Sequence, residues 1–390
     1  MNNISQHKHC YGCAVCTIVC PKNIIKFKLN ENGFYQPFIM KETDCINCGK
    51  CIKVCPLISP ILQKQDNIQG FATWSEDEAV RIKASSGGTG FEIARLLLQN
   101  GYKAIGVRYN AEKQKAEHFL TSSINEYIQC IGSKYIQSDP YEAFNLINRK
   151  EKYLISGTPC QIAGIRKMAQ LYRMDDNIVL LDFFCHGVPS KLVWDKYIAE
   201  QEKTLGKIIY ASWRNKRSGW HDSWAISLDG ANYGNAINWN DSYEMLIKEK
   251  ETFYCKKRSQ GDLFYKYFLG DMCFNKSCYK NCQFKAYNSA ADIRIGDLWG
   301  KTYSDNELGV TGCLAFTQKG VDILNSCNIH IKAEPKEIIT EGQQFHRIKI
   351  PYYYNVLLRL LRSNINLSYI YKIVQILRIG TIIKYKLHLK

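Results

Sequence analysis

The stretches CYGCAVCTIVCP at residues 10–21 and CINCGKCIKVCP at residues 45–56 are two copies of one pattern. Written out, they are Cys10-x2-Cys13-x2-Cys16-x3-Cys20-Pro21 and Cys45-x2-Cys48-x2-Cys51-x3-Cys55-Pro56, each cysteine 35 residues after its counterpart. Three thiolates spaced by two residues can wrap one corner of an iron–sulfur cube, with a fourth supplied from elsewhere. Structural zinc favours separated pairs over a tight triplet and has no use for the proline. Disulfides need an oxidising compartment, and Met1–Gln6 lacks the charged start and apolar core of a secretory signal. The repeat implies one-electron chemistry.

The same spacing resembles the run of bacterial dicluster ferredoxins, in which the fourth cysteine ligates the other cluster. That resemblance implies one [4Fe–4S] cluster on Cys10, Cys13, Cys16 and Cys55, and a second on Cys45, Cys48, Cys51 and Cys20.

At 390 residues the chain is far longer than such a module needs. The cysteine-rich part ends near Leu62, and the polar stretch 63–69 reads as a linker. Beyond it, apolar runs alternate with Gly, Asp and Asn punctuation, the manner of an α/β protein. The expected fold is multidomain α/β: an α+β ferredoxin-like module at 1–62, then α/β regions at 68–150 and 151–320, then a basic helical extension at 321–390. No uninterrupted apolar stretch reaches membrane-spanning length.

The formal net charge of +16 suits anionic substrates, acidic redox partners or membrane surfaces. Lysines and arginines are scattered through residues 60–340, without the focused stripe and stacking aromatics of a nucleic-acid protein, so no nucleic-acid partner is expected. The tail differs. Between Pro351 and Lys390 it carries Arg359, Arg362, Lys372, Arg378, Lys384, Lys386 and Lys390 and no acidic residue. Apolar residues interleave at helical spacing, a pattern usable at an anionic membrane surface, on a partner, or docked on its own domain. The expected location is the cytoplasm, with the tail available to the inner face of the membrane.

After the linker, Ser85-Ser86-Gly87-Gly88-Thr89-Gly90 runs into an amphipathic helix at 91–98 that Asn100-Gly101 stops. Small residues at a helix start free backbone N–H groups to face an anion such as a pyrophosphate. A strand is expected at 103–109, a helix at 124–131 and a buried strand at 153–156. The last ends at Gly157-Thr158-Pro159-Cys160, where Pro159 sits at a first helical position. That places Cys160 in the first turn of a helix over 161–172, where the positive dipole end lowers a thiol pKa. A second apolar strand, 178–184, leads into Cys185-His186-Gly187, so both junction cysteines fit one end of a parallel sheet. Cys278 and Cys282 form a further pair, and Asp292–Gly300 reads as a strand and tight turn. From spacing alone, Cys160, Cys185, Cys278 and Cys282 are either a third metal site or buried small hydrophobes.

Together the runs at 85–90, 132–135 (Gly-Ser-Lys-Tyr), 157–161 (Gly-Thr-Pro-Cys-Gln), 184–187, 277–279 and 292–300 resemble the family formed by the beta subunits of coenzyme F420-reducing hydrogenase and F420-dependent formate dehydrogenase. The resemblance spans residues 1 to about 320. It implies an iron–sulfur flavoprotein: FAD beside a third [4Fe–4S] cluster on Cys160, Cys185, Cys278 and Cys282. The flavin would lie near Ser86, Gly87, Gly88, Thr89, Lys134 and Tyr135. Family members usually show two residues between the last cysteines and this chain shows three, which leaves Cys273 open as a substitute ligand. Cys130, Cys255, Cys313 and Cys327 read as structural.

The activity implied is an oxidoreductase that takes electrons from a low-potential donor such as ferredoxin and delivers hydride to an organic acceptor. Nothing in the residues selects that acceptor among a deazaflavin, a tetrapyrrole and a sugar derivative of a surface-polysaccharide pathway. The alternative is a non-catalytic electron-transfer protein serving a partner redox enzyme. His186 reads as a structural hydrogen-bond group, and no catalytic residue is assigned.

Overall fold

The computed structural model describes residues 3–6, 9–216, 219–221, 223–224, 226–231, 254–256 and 262–388. At the N-terminal end, α1 (Val15–Ile18) and α2 (Lys50–Lys53) flank an antiparallel hairpin of β1 (Ile25–Leu29) and β2 (Tyr35–Ile39). The chain continues through β3 (Gln69–Ser75), α3 (Thr89–Gln99), β4 (Lys103–Asn110), β5 (Lys115–Thr121), β6 (Ser138–Asp139) and β7 (Tyr153–Ser156). Next come α4 (Pro159–Tyr172), β8 (Ile178–Phe183), α5 (Lys191–Leu205), β9 (Ile208–Ser212), β10 (Ile226–Gly230) and β11 (Tyr254–Lys256). Then follow α6 (Leu263–Phe268), α7 (Lys276–Lys280), β12 (Ile293–Asp297), β13 (Thr311–Ala315) and α8 (Gln318–Ser326). The described chain closes with β14 (Ile329–Ala333), α9 (Tyr354–Arg362) and α10 (Leu367–His388).

A nine-stranded mixed sheet in the order β14-β3-β13-β12-β8-β7-β4-β5-β6 is the centre of the molecule. Its middle, β4-β7-β8-β12, is parallel. β7 and β8 read as near-continuous apolar runs because both faces are covered, α3 and α8 packing on one side and α4 on the other. α3 buries Phe91, Ile93, Ala94, Leu97 and Leu98. α4 starts where the sequence signals it: Pro159 needs no N–H, and the Thr158 N–H donates to Gln161 Oε1 at 2.9 Å.

The sheet corrects the expected division of the chain. It draws strands from both 68–150 and 151–320, so that boundary cuts one layer. β14 falls inside the stretch expected as a helical extension and pairs along β3. Pairing over such sequence separation leaves no local signal.

β9, β10 and β11 form a small antiparallel sheet. A second core there joins Trp194 of α5, Trp213 and Phe264 to the tail residues Leu357, Leu361, Ile370 and Val374. Of the uses open to the tail, the structure shows docking on its own core for this apolar face. Burying each such aliphatic side chain contributes about 1.5–3 kcal/mol. Polar ties add to it: Lys196 Nζ donates to the Ser363 and Ile365 carbonyls at 2.7 and 2.9 Å, and Leu367 N donates to Glu200 Oε1 at 2.7 Å. The side chains of Lys384, Lys386 and Lys390 lie outside the described residues, as does that of Cys255. No helix among the described residues is long and apolar enough to cross a membrane.

The N-terminal module is not a bead on a string. Val15, Val19 and Val54 share a core with Ile162 and Ile165 of α4. A Cβ at Gly164 would stand 2.8 Å from a Val15 methyl and 3.4 Å from Cys13 Sγ, so only glycine lets the module seat this close. The linker is pinned as well, with Gln63 N donating to Ser289 O at 2.7 Å.

Candidate redox site

β7 and β8 run parallel and end at the same edge of the sheet, so the turns that follow them place Cys160 and Cys185 there together. α7 and its following turn bring Cys278 and Cys282 to the same place. The four thiols are close enough to act on one another electrostatically. Burial, then Cys185, Cys13 and Cys278, hold the Cys160 thiol well above its ordinary range, against a 3.2 Å contact with the Thr158 hydroxyl. Burial pushes the Cys185 thiol up to about 11, with Cys282 adding to it against the pull of Lys285. Burial and then Cys185 push Cys278 up to about 12. The expected lowering of Cys160 by the helix dipole is therefore overturned in the metal-free chain, where burial outweighs it. Buried thiols that disfavour ionisation in this way, as Cys160, Cys185 and Cys278 do, are matched to a group that supplies positive charge, as the irons of a cluster do.

Cys273 does not join them. It is fully buried in the aromatic core beside Phe274 and Met272, and its pKa, pushed up to about 12 by burial, feels none of the other thiols. With three residues between them, Cys278 and Cys282 both come within electrostatic reach of Cys185.

The N-terminal cysteines lie in two neighbourhoods. Cys13 and Cys16 are both raised well above the ordinary thiol range by burial, and each feels Cys10 and Cys55. Cys20, Cys45, Cys48 and Cys51 line one small cavity. Cys13 is also the module's thiol that acts on Cys160, and the Tyr11 hydroxyl donates to Asn281 O at 2.5 Å, tying the module to the turn that carries Cys282. Among the described residues no three His, Cys, Asp or Glu side chains converge on a single metal ion. A cube, which spreads its four thiolates over separate corners, asks for a wider array.

Beside the four thiols lies a cavity of about 470 Å³, lined in part by Cys185, Thr158 and Gly157. This is the size range of a cofactor pocket. Ser86, Gly88, Thr89, Lys134 and Tyr135 line it too. Gly87 does not. A Cβ there would meet Thr73 O at 2.4 Å and Thr311 N at 2.8 Å, so its role is to let the loop pack on β3 and β13. Gly88 holds φ +92 at the start of α3, and Thr89 and Gly90 of the first turn line the cavity. Lys134 Nζ donates to the Gln129 and Ile131 carbonyls at 2.9 and 3.2 Å, and burial lowers it to about 8. Tyr135 and Trp224 stack at 5.1 Å on the cavity wall. A helix start, a shielded amine and flat aromatic surfaces thus share one cavity.

Several residues that hold this edge escaped sequence reasoning. Arg294 and Asp182 form a fully buried bidentate pair, Nε to Oδ1 and Nη2 to Oδ2 both at 2.7 Å. The same guanidinium donates to the Phe284, Ala286 and Asn288 carbonyls, shaping the segment after Cys282. Lys285 Nζ donates to the Cys185 and His186 carbonyls at 2.8 and 2.9 Å. Arg214 pairs with Asp297 at 2.9 Å while its guanidinium lies over the rings of Trp224 and Trp299. The available signal was a charged residue inside an apolar strand, as in Ile293-Arg294-Ile295, where burial demands a partner.

His118 supports the cysteine turn from beneath. It is buried, its Nε2 lies 3.2 Å from Ser156 O, and burial lowers its pKa to about 3. Below pH ~6.5 the unfolded chain takes a proton here that the folded chain refuses, so this group's contribution to stability falls as pH drops from ~6.5 toward 3, by at most about 1.4 kcal/mol per unit. His118→Phe, which can keep the edge contact with Phe144, is expected to flatten the fall of Tm between pH 6.5 and 5. Equal slopes in parent and variant would refute it.

Comparison with known proteins finds matches to both parts of the chain. Residues 150–340 match the C terminus of the coenzyme F420 hydrogenase/dehydrogenase beta subunit, and residues 9–57 match the 4Fe-4S dicluster domain. The chain is 26% identical over 170 residues to the coenzyme F420-dependent sulfite reductase of Methanocaldococcus jannaschii, covering 43% of this chain and 26% of that protein. It is 25% identical over 191 residues to a subunit of the F(420)H(2) dehydrogenase of Methanosarcina mazei, covering 46% of this chain and 53% of that one. The matches thus span between a quarter and about half of these relatives' lengths. A chain of the F420-reducing [NiFe] hydrogenase complex from Methanosarcina barkeri superposes with a TM-score of 0.45 at 15% identity, over 79% of this chain and 91% of that one. The chain thus carries a 4Fe-4S dicluster domain at its N-terminal end and, over residues 150–340, the C-terminal domain of the coenzyme F420 hydrogenase/dehydrogenase beta subunits.

Proposed function

We propose that this chain is an iron–sulfur flavoprotein oxidoreductase that receives single electrons at its dicluster domain and delivers them in pairs to an organic acceptor. The observation that carries the reading is the contiguity of thiols and cavity: Cys13 adjoins Cys160, and Cys185 is both a neighbour of Cys282 and a wall of the cavity. A flavin held there would convert one-electron delivery by clusters into hydride chemistry. The chain's own residues do the holding. Cys10, Cys13, Cys16 and Cys55 would bind one cluster, Cys20, Cys45, Cys48 and Cys51 a second, and Cys160, Cys185, Cys278 and Cys282 a third. The first turn of α3, with Ser86, Gly88 and Thr89, would face the pyrophosphate and Lys134 would add positive charge. Tyr135 and Trp224 would pack on a planar ring and exclude water.

Anaerobic purification with iron, sulfide and flavin assayed on one sample tests the whole. About twelve irons by four-iron stoichiometry, with about one flavin per chain, is the expected result. Full iron without flavin would favour the non-catalytic electron-transfer role instead, a role suggested by the relative that is itself one part of a dehydrogenase.

The flavin site has its own variant. Gly88→Val strains a left-handed backbone and is a poor test. Gly90 is better placed: it sits in α3, lines the cavity, and a Cβ there meets only the tip of Ile295, at 2.9 Å. Gly90→Leu is expected to fill cavity space and lower flavin occupancy at least several-fold with iron content unchanged. Normal flavin in a folded variant would move the site elsewhere.

A further inference from the structure

The two halves of the dicluster domain differ in what surrounds them. Cys13 and Cys16 are buried, and Cys13 lies against α4 beside Cys160. Cys48, in the other half, is exposed to solvent. Exposed apolar residues lie on the cavity that Cys48 lines, or next in sequence to one of its residues, Ile39. Met40 is 62% exposed and Ile46, lining the same cavity as Cys48, is 55% exposed. Lys22, also on that cavity, is exposed, as are Lys41, next after Met40, and Lys53, two residues after the cavity residue Cys51. Two carboxylates are present, Glu42 and Asp44, and the second is paired with Lys41 at 3.4 Å.

We infer that the face formed by Met40, Ile46 and Cys48, with its rim of Lys22, Lys41 and Lys53, is the docking surface for a small acidic one-electron carrier protein of the iron–sulfur type. The inference rests on the proposed function, which it deepens by naming where electrons enter. A carrier must bring its own centre close to the receiving one, and this is the edge of the domain where a ligand cysteine meets solvent. A small apolar patch inside a charged rim has the make-up of a transient encounter surface. Positive rim charge on a chain of net charge +16 steers an acidic partner and makes association sensitive to salt. The transfer itself is balanced simply: the carrier loses one electron, the Cys20/Cys45/Cys48/Cys51 centre gains it, and no bond or proton moves. Two encounters supply the pair that one hydride needs.

The test uses the anaerobic, fully loaded chain and an acidic two-cluster ferredoxin as probe. Binding is followed by thermophoresis at low and high salt, and reduction by stopped-flow absorbance. Ile46→Asp, Met40→Asp and the double change Lys22→Glu/Lys53→Glu all lie on the surface. Each is expected to weaken binding and lower the second-order rate of reduction by ferredoxin about tenfold at low salt. Reduction by dithionite, which needs no docking face, is expected to stay the same in every variant. Parent-like ferredoxin binding and rates in all three variants would overturn the surface. Failure of dithionite to reduce a centre in the parent, or an iron content about four short, would instead overturn the cluster reading beneath it.

Discussion

Cys160→Ser is expected to take the loaded chain from about twelve irons to about eight, the loss of one four-iron cluster. The electron paramagnetic resonance of the dicluster domain should survive, since its eight cysteines are untouched. Cys160 is the member of the internal set that interacts with Cys185 and Cys278 on one side and Cys13 on the other, so no neighbouring thiol stands where it stands. Cys273→Ser is the matched control. It lies inside an aromatic core, with no thiol among the groups that shift it, and its replacement is expected to cost some stability but no iron. Unchanged iron in the first variant, or loss of about four irons in the second, would show that the ligand set is drawn wrongly.

Asp182→Ala is expected to be the most damaging single change to the fold, by roughly 3–5 kcal/mol, because it strands a buried guanidinium. For a chain of this size that is a drop in Tm of roughly 4–6 °C. Arg294 organises the carbonyls of Phe284, Ala286 and Asn288 and so the exit from Cys282. Internal-cluster occupancy should therefore fall with it. Replacing both partners by apolar residues, Asp182→Leu with Arg294→Met, removes the stranded charge and should recover part of the lost stability. A double variant less stable than Asp182→Ala would mean that the pair matters for something other than mutual neutralisation.

What could be seen from the residues alone was whatever is written locally. The strand at 153–156 and the helix beginning at Pro159 lie where expected, because an unbroken apolar run and a proline after threonine are short-range signals. The twin cysteine repeat is equally local. β3 and β14 were illegible since their partners lie more than two hundred residues away, as with Phe71 and Cys313. The tail's periodicity announced an apolar face without saying what would cover it. Cys273 and Cys278 are alike as letters, and only the fold separates a core thiol from one facing other thiols. Gly87 and Gly88 are neighbours in one glycine-rich run, yet one packs on strands and the other opens a helix.

Gly164 has a consequence for timing. Since a helix backbone is pressed against Val15 and Cys13 with no room for a single carbon between them, the dicluster unit is soldered to its receiver. It does not work as a swinging arm that loads at one station and unloads at another. In the proposed route, current between the two parts would need no docking step, and the tempo of turnover would be left to what happens at the two ends: the arrival of a carrier from outside and the entry of an acceptor within.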